Sequence, residues 1–274
     1  MMEDRRLACL RAMGLTPWVL RRPAASSGDP MADRASDPGS GDPECRDVSP
    51  EAAPALDMTR PASDPANRRP QPGPASPPAD VPSLGWPELE ARVSGCEACE
   101  LHEHRTQTVF GVGNRSARWL FIGEAPGAEE DRRGEPFVGR AGQLLDAMLA
   151  ALGLDRQQVF IANVLKCRPP GNRDPRTEES RACAPFLQRQ IALIDPGVIV
   201  ALGRISAQQL LQSDKPLGTL RGRVHGLGPD ARPLVVTYHP AYLLRQPSQK
   251  ARAWEDLLLA RRIVAGRAGT DERG

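Results

Sequence analysis

The sequence predicts an α/β domain built on a parallel sheet. Four short runs of the chain are almost continuously apolar, as expected for strands that are covered on both faces. Segments with the apolar spacing of amphipathic helices lie between them. Strands that alternate with helices in this way form a parallel sheet between two helical layers. The predicted strands are Trp119–Ile122, Val159–Ala162, Val198–Leu202 and Leu234–Thr237.

Four helices are predicted around these strands. The first has apolar residues on one stripe at Leu144, Leu145, Met148 and Leu149. The second begins with Thr177 as a predicted N-cap, and acidic residues follow in its first turn, where they favour the helix dipole. The predicted helices are Ala141–Leu152, Thr177–Leu193, Ser206–Leu211 and Trp254–Val264.

The composition divides the 274 residues into a tail and a foldable part. Of the 28 prolines, 14 lie between Pro23 and Pro82, a stretch without aromatic residues or isoleucine. Such a segment buries too little apolar surface to offset its ordering entropy. We therefore predict a short helix-like segment over residues 1–20, a disordered linker over 21–85, a folded domain over 86–266 and a flexible C-terminus over 267–274.

The N-terminal segment and the charge bear on partners and location. Apolar residues at near-helical spacing in Met2–Leu20 suit a docking element for a protein partner, or a short helix that contacts its own domain. No run of about 18 apolar residues exists, which excludes a membrane protein. Arg11 and Pro17 interrupt any secretory signal, so we expect a cytoplasmic protein. We also expect it to be a monomer. The net charge of +2 divides into −2 over residues 1–85 and +4 over residues 86–274, and this split is compatible with a nucleic-acid partner without establishing one.

Four of the six cysteines suggest a metal or cluster site. Cys96 and Cys99 form a C-x-x-C pair, and Cys167 and Cys183 flank a loop rich in proline and arginine. In a reducing compartment such thiols indicate metal or cluster ligands rather than disulfides. Unrelated buried thiols are the alternative. Structural zinc usually shows two tight pairs, whereas an iron–sulfur cluster tolerates wider spacing. The spacing therefore favours a [4Fe–4S] cluster over zinc.

Polar residues follow the predicted strands at the edge where parallel sheets bind ligands. The first strand leads into Gly123-Glu-Ala-Pro-Gly127, in which Glu124 places a carboxylate at a glycine turn. Phe137 lies in a Pro/Gly loop before a helix, Asn163 follows the second strand, and His239 follows the fourth. Taken singly, each suits an ordinary turn or core position. Together at the ends of three strands, they predict one binding site.

These motifs resemble the iron–sulfur-containing family 4 uracil-DNA glycosylases, within the uracil-DNA glycosylase superfamily. The resemblance covers residues about 90–263. It implies a three-layer α/β/α fold with a four-stranded parallel sheet, and a structural [4Fe–4S] cluster on Cys96, Cys99, Cys167 and Cys183. The motifs that carry it are Cys96-x-x-Cys99, Gly123-Glu-Ala-Pro-Gly127, Pro136-Phe-Val-Gly-Arg-Ala-Gly-Gln143, Asn163-Val-Leu-Lys-Cys-Arg-Pro-Pro170, Cys183, Ala201-Leu-Gly-Arg204 and His239-Pro-Ala-Tyr242.

The resemblance implies a role for each site residue. Gly123, Glu124 and Ala125 are expected to line a uracil pocket, and Phe137 to stack on a base flipped out of single- or double-stranded DNA. Asn163 is expected to bind the Watson–Crick edge. His239 is expected to reach the O2 side and stabilise the departing uracil anion.

The catalytic water is less defined, because Ala125 stands where the best-known branch of the superfamily has an aspartate. Glu124 or a backbone carbonyl is expected to position that water. Since Lys166 is the one lysine among the motifs, and lies beside a predicted cluster ligand, we expect a monofunctional enzyme that leaves an abasic site. The alternatives are an iron–sulfur nucleic-acid-binding protein without turnover, and a superfamily member with altered base specificity or covalent trapping of abasic DNA.

Two loops are predicted to contact DNA. Arg168 and Arg173 lie between the third and fourth cysteines, where they suit phosphate contacts. Leu244 and Arg245 follow His239 and suit an apolar wedge beside a phosphate contact. Helix packing is the alternative for this segment, since Leu243 and Leu244 cannot both face DNA.

Overall fold

The structure is a computed structural model that describes the chain over residues 80–271, with side chains to residue 266. The predicted segment 1–20 and the linker up to residue 79 lie outside the described residues. Val81 is fully buried, so packing already begins before Trp86, where the folded domain was expected to start.

One mixed sheet of six strands forms the centre of the domain, in the order β1-β3-β2-β4-β6-β5. The inner four strands are parallel, and β1 and β5 pair antiparallel at the two edges. The strands are β1 (Val112–Gly113), β2 (Trp119–Gly123), β3 (Val159–Asn163), β4 (Val198–Leu202), β5 (Val224–Leu227) and β6 (Arg232–Thr237).

The expected four-stranded parallel sheet is therefore corrected to a six-stranded mixed one. The four predicted strands are all present, because their continuous apolar runs suit positions buried on both faces. The edge strands lack that signal. β1 has two residues, and β5 alternates exposed and half-buried residues.

Eight α-helices surround the sheet within residues 80–271. Four of them match the predicted helices, and the other four are short segments without a long apolar stripe. They are α1 (Trp86–Ser94), α2 (Ala128–Arg133), α3 (Arg140–Leu152), α4 (Thr177–Ile194), α5 (Arg204–Leu211), α6 (Leu217–Leu220), α7 (Pro240–Arg245) and α8 (Lys250–Asp271).

Several helix ends differ from the sequence prediction, and α5 begins two residues and α8 four residues earlier than expected. α8 continues to Asp271, beyond the predicted end at Val264 and into the segment expected to be flexible. α4 begins at Thr177 as predicted, but its N-cap is Arg176. The carboxylate of Glu179 accepts the Arg176 backbone N–H at 2.7 Å, so an acidic side chain in the first turn caps the helix.

Each inner strand alternates its side chains between two apolar layers. On β2, Trp119 and Phe121 pack with α3, α7 and α8, whereas Leu120 and Ile122 pack with α4 and α5. A third apolar cluster joins α1 to α4 and contains Cys167 and Cys183. No helix in residues 80–271 is long and apolar enough to cross a membrane.

Candidate active site

The turns that follow the inner strands meet at one edge of the sheet. Gly123 lies opposite Asn163 in the β2–β3 register, and Leu202 lies opposite Thr237 in the β4–β6 register. The Gly203 N–H donates to the Thr237 carbonyl at 2.8 Å, which brings the β4 turn next to the β6 turn. His239 follows Thr237 directly after Tyr238. The parallel sheet thus brings the predicted site turns together.

Gly123 is a point of close contact between two predicted site residues. A Cβ atom there would lie 2.4 Å from the Asn163 Oδ1 atom and 2.7 Å from the Phe137 Cζ atom. Any larger residue would displace both side chains. The buried Phe137 ring also lies 5.5 Å from the His239 ring, centroid to centroid. The structure therefore places Gly123, Phe137, Asn163 and His239 in one site.

Asn163 carries an unused hydrogen-bond acceptor. The side chain is 2% exposed, and its Oδ1 atom has no hydrogen-bond partner within the described chain. Leaving a buried polar atom unpaired costs about 1–3 kcal/mol. This acceptor lies beside the Phe137 ring and is available to a group that donates a hydrogen bond.

His239 is a neutral imidazole with a defined tautomer. It is the N-cap of α7, where its Nδ1 atom accepts the Ala241 N–H at 3.1 Å. The ring proton therefore resides on Nε2, which is a donor. The pKa of His239 is lowered to about 4. Burial is the main cause and the Arg245 cation adds to it, whereas Glu130 opposes the shift. At neutral pH the ring offers one hydrogen bond without a positive charge.

Glu124 is half-buried at the start of the glycine turn. The pKa of its carboxyl group is raised to about 7. Burial is the main cause and the Asp174 carboxylate adds to it, whereas Arg204 opposes the shift. The Leu165 N–H donates to the Glu124 carbonyl at 3.0 Å and holds the turn against the segment that follows β3. Glu124 can therefore change protonation state near neutral pH.

Ala125, also predicted to line the pocket, packs partly buried against the third apolar cluster, which contains Cys167 and Cys183. This contact links the glycine turn to the cysteines.

Glu130 is a site residue that sequence reasoning missed. Its carboxylate accepts the Gly127 N–H at 3.1 Å, the Val138 N–H at 3.0 Å and the Gly139 N–H at 3.1 Å. One side chain thus ties the glycine turn to the loop that carries Phe137. The sequence shows an acidic run at this point, but it does not show which member turns inward.

The four predicted ligand cysteines line one small cavity, together with Arg105 and Lys166. The Arg105 guanidinium donates to the Cys167 Sγ atom at 3.2 Å, and the Lys166 backbone N–H donates to the Cys183 Sγ atom at 3.2 Å. Burial raises the pKa of the Cys167 thiol to about 11 and that of Cys183 to about 12. Residues 80–271 contain no group of three or more ligand side chains arranged around a single metal ion.

Lys166 connects this cavity to the pocket. Its side chain is 1% exposed, and its Nζ atom donates to the Asn163 carbonyl at 3.0 Å, the Phe110 carbonyl at 3.2 Å and the Gln190 Oε1 atom at 2.6 Å. These three partners are neutral. A buried cation therefore lies beside the cysteines while it holds the backbone of Asn163.

Comparison with known proteins places this geometry in a family. The model of the uracil DNA glycosylase superfamily matches residues 110–258. A type-4 uracil-DNA glycosylase of Thermotoga maritima is 45% identical over 64% of this chain and 93% of its own length. The chain belongs to the type-4 uracil-DNA glycosylases. A second type-4 uracil-DNA glycosylase, from Archaeoglobus fulgidus, is 44% identical over 58% of this chain and 83% of its own length. A type-5 uracil-DNA glycosylase of Thermus thermophilus is 34% identical over 55% of the chain and 75% of its own length.

The residues predicted to contact DNA fall into two groups. Leu244 is 37% exposed whereas Leu243 is buried in the core, and Arg245 is exposed and close enough to lower the pKa of His239. These positions leave Leu244 and Arg245 accessible beside the pocket.

The two loop arginines are engaged within the protein. The Arg168 Nε atom donates to the Asn172 Oδ1 atom at 2.8 Å. Both terminal nitrogens of Arg173 bind the buried carboxylate of Glu179. Arg173 is thus already paired where the sequence predicted a phosphate contact.

Proposed function

We propose that this protein removes uracil from DNA by hydrolysing the N-glycosidic bond, as the first step of base excision repair. The unpaired Asn163 Oδ1 atom is the observation that carries the proposal. The Watson–Crick edge of uracil presents an N3–H donor beside the O4 acceptor, and one side-chain amide complements both. The Phe137 ring next to it supplies a stacking face for a base that has left the duplex.

The proposed chemistry breaks the bond between the sugar C1′ and the uracil N1, and the bonding electrons leave with uracil. The Nε2–H group of His239 then donates a hydrogen bond to the O2 atom of the uracil anion. The neutral imidazole keeps its proton while it stabilises this charge. A water oxygen bonds to C1′ and loses a proton, and one proton neutralises the departing uracil anion, so that free uracil and an abasic sugar result. Glu124, whose pKa is about 7, is able to hold that water as a carboxylate.

The product is proposed to be an intact strand with an abasic site. Cleavage of the DNA strand by a lysine would require a free amine that attacks the sugar C1′ atom and forms a Schiff base. Lys166 is buried with three oxygen partners, so its amine is not available for that reaction. This supports a monofunctional glycosylase.

We propose a [4Fe–4S] cluster on Cys96, Cys99, Cys167 and Cys183. Two features of the cavity fit such a group. Its lining brings the four thiols together, and a cationic guanidinium and a buried ammonium accompany them. When bound, the cluster would supply a rigid anionic cross-link between the residues after α1 and α4. The catalytic steps proposed above involve only the pocket residues.

The remaining assignments are also proposals. We propose residues 86–266 as the glycosylase domain, extended by the packed residues from Val81 and by α8 to Asp271, with 1–20 as a docking segment for a protein partner and 21–80 as a linker. Leu244 is proposed as the wedge and Arg168 and Arg245 as phosphate contacts. Arg173 is proposed to brace its loop through Glu179. A cytoplasmic monomer agrees with free thiols at Cys96, Cys99, Cys167 and Cys183.

A labelled oligonucleotide with one uracil tests the activity. Incubation followed by alkali should cut the strand at the uracil, and without alkali the strand should stay intact. The matched thymine oligonucleotide should remain uncut in both cases. Binding without scission after alkali would instead identify a nucleic-acid-binding protein, and an adduct that survives denaturant would identify covalent trapping.

The same preparation tests the cluster. The purified protein should be brown, with broad visible absorbance and about four irons per chain. A colourless protein that contains one zinc per chain would contradict the assignment.

A further inference from the structure

Phe137 has a backbone conformation that an aromatic residue rarely adopts. Its φ angle is +55°, in the left-handed region. This conformation costs a residue with a Cβ atom about 1–2 kcal/mol, so it persists only where the surroundings enforce it. Because the ring packs on Gly123 and His239, the enforced backbone sets the direction of the stacking face.

Arg156 holds the two carbonyl groups at this point. Its Nη1 atom donates to the Pro136 carbonyl at 3.1 Å, and its Nη2 atom donates to the Phe137 carbonyl. Its Nε atom donates to the Asp146 Oδ1 atom on α3 at 2.7 Å, which fixes the plane of the guanidinium. Three donors in one rigid fork thus fasten the loop to the middle of α3.

Other contacts leave the Phe137 carbonyl little freedom. A Cβ atom on Gly142 would lie 1.7 Å from the Phe137 oxygen, so the carbonyl lies directly against the first turn of α3. Glu130 accepts the N–H groups of Val138 and Gly139, which follow Phe137. Arg156 therefore binds the carbonyl side of a peptide segment whose N–H side is bound by Glu130.

We propose that Arg156 is a positioning residue for uracil excision, which acts by holding Phe137 in its left-handed conformation so that the ring stacks on the flipped base. This inference rests on the stacking role of Phe137 in the proposed function. Arg156 itself bonds to main-chain carbonyls and to Asp146, so its effect on uracil passes through Phe137.

A double-mutant cycle separates this role from a general effect on folding. Arg156→Met keeps an unbranched side chain but removes all three donors. In the wild-type background it should lower kcat/KM on the uracil oligonucleotide about 10- to 100-fold, since small misplacements of binding groups cost this much. In a Phe137→Ala background the same change should cost less than about 2-fold, because the group that Arg156 positions is gone.

Two further measurements accompany the cycle. The concentration of free uracil that inhibits the enzyme should rise in Arg156→Met but not in Arg115→Met, a matched control whose arginine pairs with Glu90. Arg156→Lys, which retains one donor group, should recover part of the loss and replaces Arg156→Met in the cycle if that variant does not fold.

Equal losses in both backgrounds would show that Arg156 has only a structural role, and no loss in the wild-type background would also overturn the inference. If Phe137→Ala itself excises uracil normally, the stacking role in the proposed function fails, and the positioning role of Arg156 fails with it. If Phe137→Ala is impaired but Arg156 variants are not, only the inference about Arg156 fails.

Discussion

The pocket and the cysteine cavity lie on two sides of the Asn163–Cys167 segment, yet their polar groups are in opposite states. In the pocket, Asn163 Oδ1 has no hydrogen-bond partner among residues 80–271, and burial lowers the pKa of His239 and raises that of Glu124, which favours the neutral form of each. In the cavity, the Lys166 ammonium has three hydrogen bonds and the Arg105 guanidinium binds a thiol.

The proposed function explains this difference by the time that each ligand would stay bound, the base in the pocket and the cluster in the cavity. A pocket that binds and releases one base per turnover keeps neutral groups with unused hydrogen-bonding capacity, because a permanent charge would be costly to leave unpaired in the empty state. A cavity that held the proposed [4Fe–4S] cluster would keep cations nearby, since that permanent anion would offset their burial for the lifetime of the fold. Four substitutions test this contrast, from the largest expected effect to the smallest.

Cys183→Ser should act on stability. Losing the cluster would leave the buried Lys166 cation without its anion, which costs about 3–5 kcal/mol. At roughly 2–4 °C per kcal/mol, Tm should fall by about 6–20 °C, and the visible absorbance should disappear. Thermal unfolding followed by circular dichroism measures the change. Cys45→Ser serves as the control, and an equal Tm for the two variants would remove the contrast.

His239→Ala should act on rate. Removing one preorganised donor to the leaving group typically costs about 10²–10³ in kcat, or about 2.7–4 kcal/mol. Single-turnover excision measures this loss, while visible absorbance should stay near that of the wild type and Tm should fall by only a few °C, because His239 also caps α7. His104→Ala, at an exposed position, should excise uracil normally. A His239→Ala variant that retains full kcat would show that another group stabilises the anion.

Asn163→Asp should change base selection. The carboxylate offers acceptors where the amide donated to uracil O4, so kcat/KM for uracil should fall by a factor that corresponds to about 1–3 kcal/mol. Competition between uracil and cytosine oligonucleotides measures the change. The exposed Asn114→Asp is the control. Wild-type excision by Asn163→Asp would disprove the proposed role of the amide.

Glu124→Gln should change the pH profile more than the maximum rate. Because the pKa of Glu124 is raised to about 7, the wild-type carboxyl is protonated below that pH and ionised above it. If the carboxylate holds the water, wild-type kcat/KM should rise from pH 6 to pH 8, and Glu124→Gln should be flat. Glu178→Gln should keep the wild-type profile. An unchanged rise in Glu124→Gln would assign the titration to another group.

The same shift predicts a stability effect with a defined sign. The folded-state pKa lies above the unfolded value of 4.5, so the contribution of Glu124 is complete below pH 4.5 and declines as pH rises through about 7. Denaturant titrations of the wild type and Glu124→Gln should converge in acid and separate toward pH 8.

Most of the sheet was predictable because its inner strands have long apolar runs. The edge strands were not, since β1 and β5 depend on pairing with β3 and β6 more than on their own side chains. The N-cap of α4 was misplaced by one residue for a different reason, since the contact that caps it is local. The Glu179 carboxylate caps it, and no local rule distinguishes that arrangement from a Thr177 cap.

The sequence by itself determined the family, the order of the site turns and the four cysteines, because each is a local pattern of residue types. Only the tertiary structure decided the left-handed Phe137, the tautomer of His239, the unpaired oxygen of Asn163 and the inward-facing Glu130, Arg156 and Lys166. Most of these states depend on contacts between groups distant in the chain, and all of them depend on burial. Such contacts exist only after the sheet has formed, so the residue that directs a side chain is often one that its own motif does not contain.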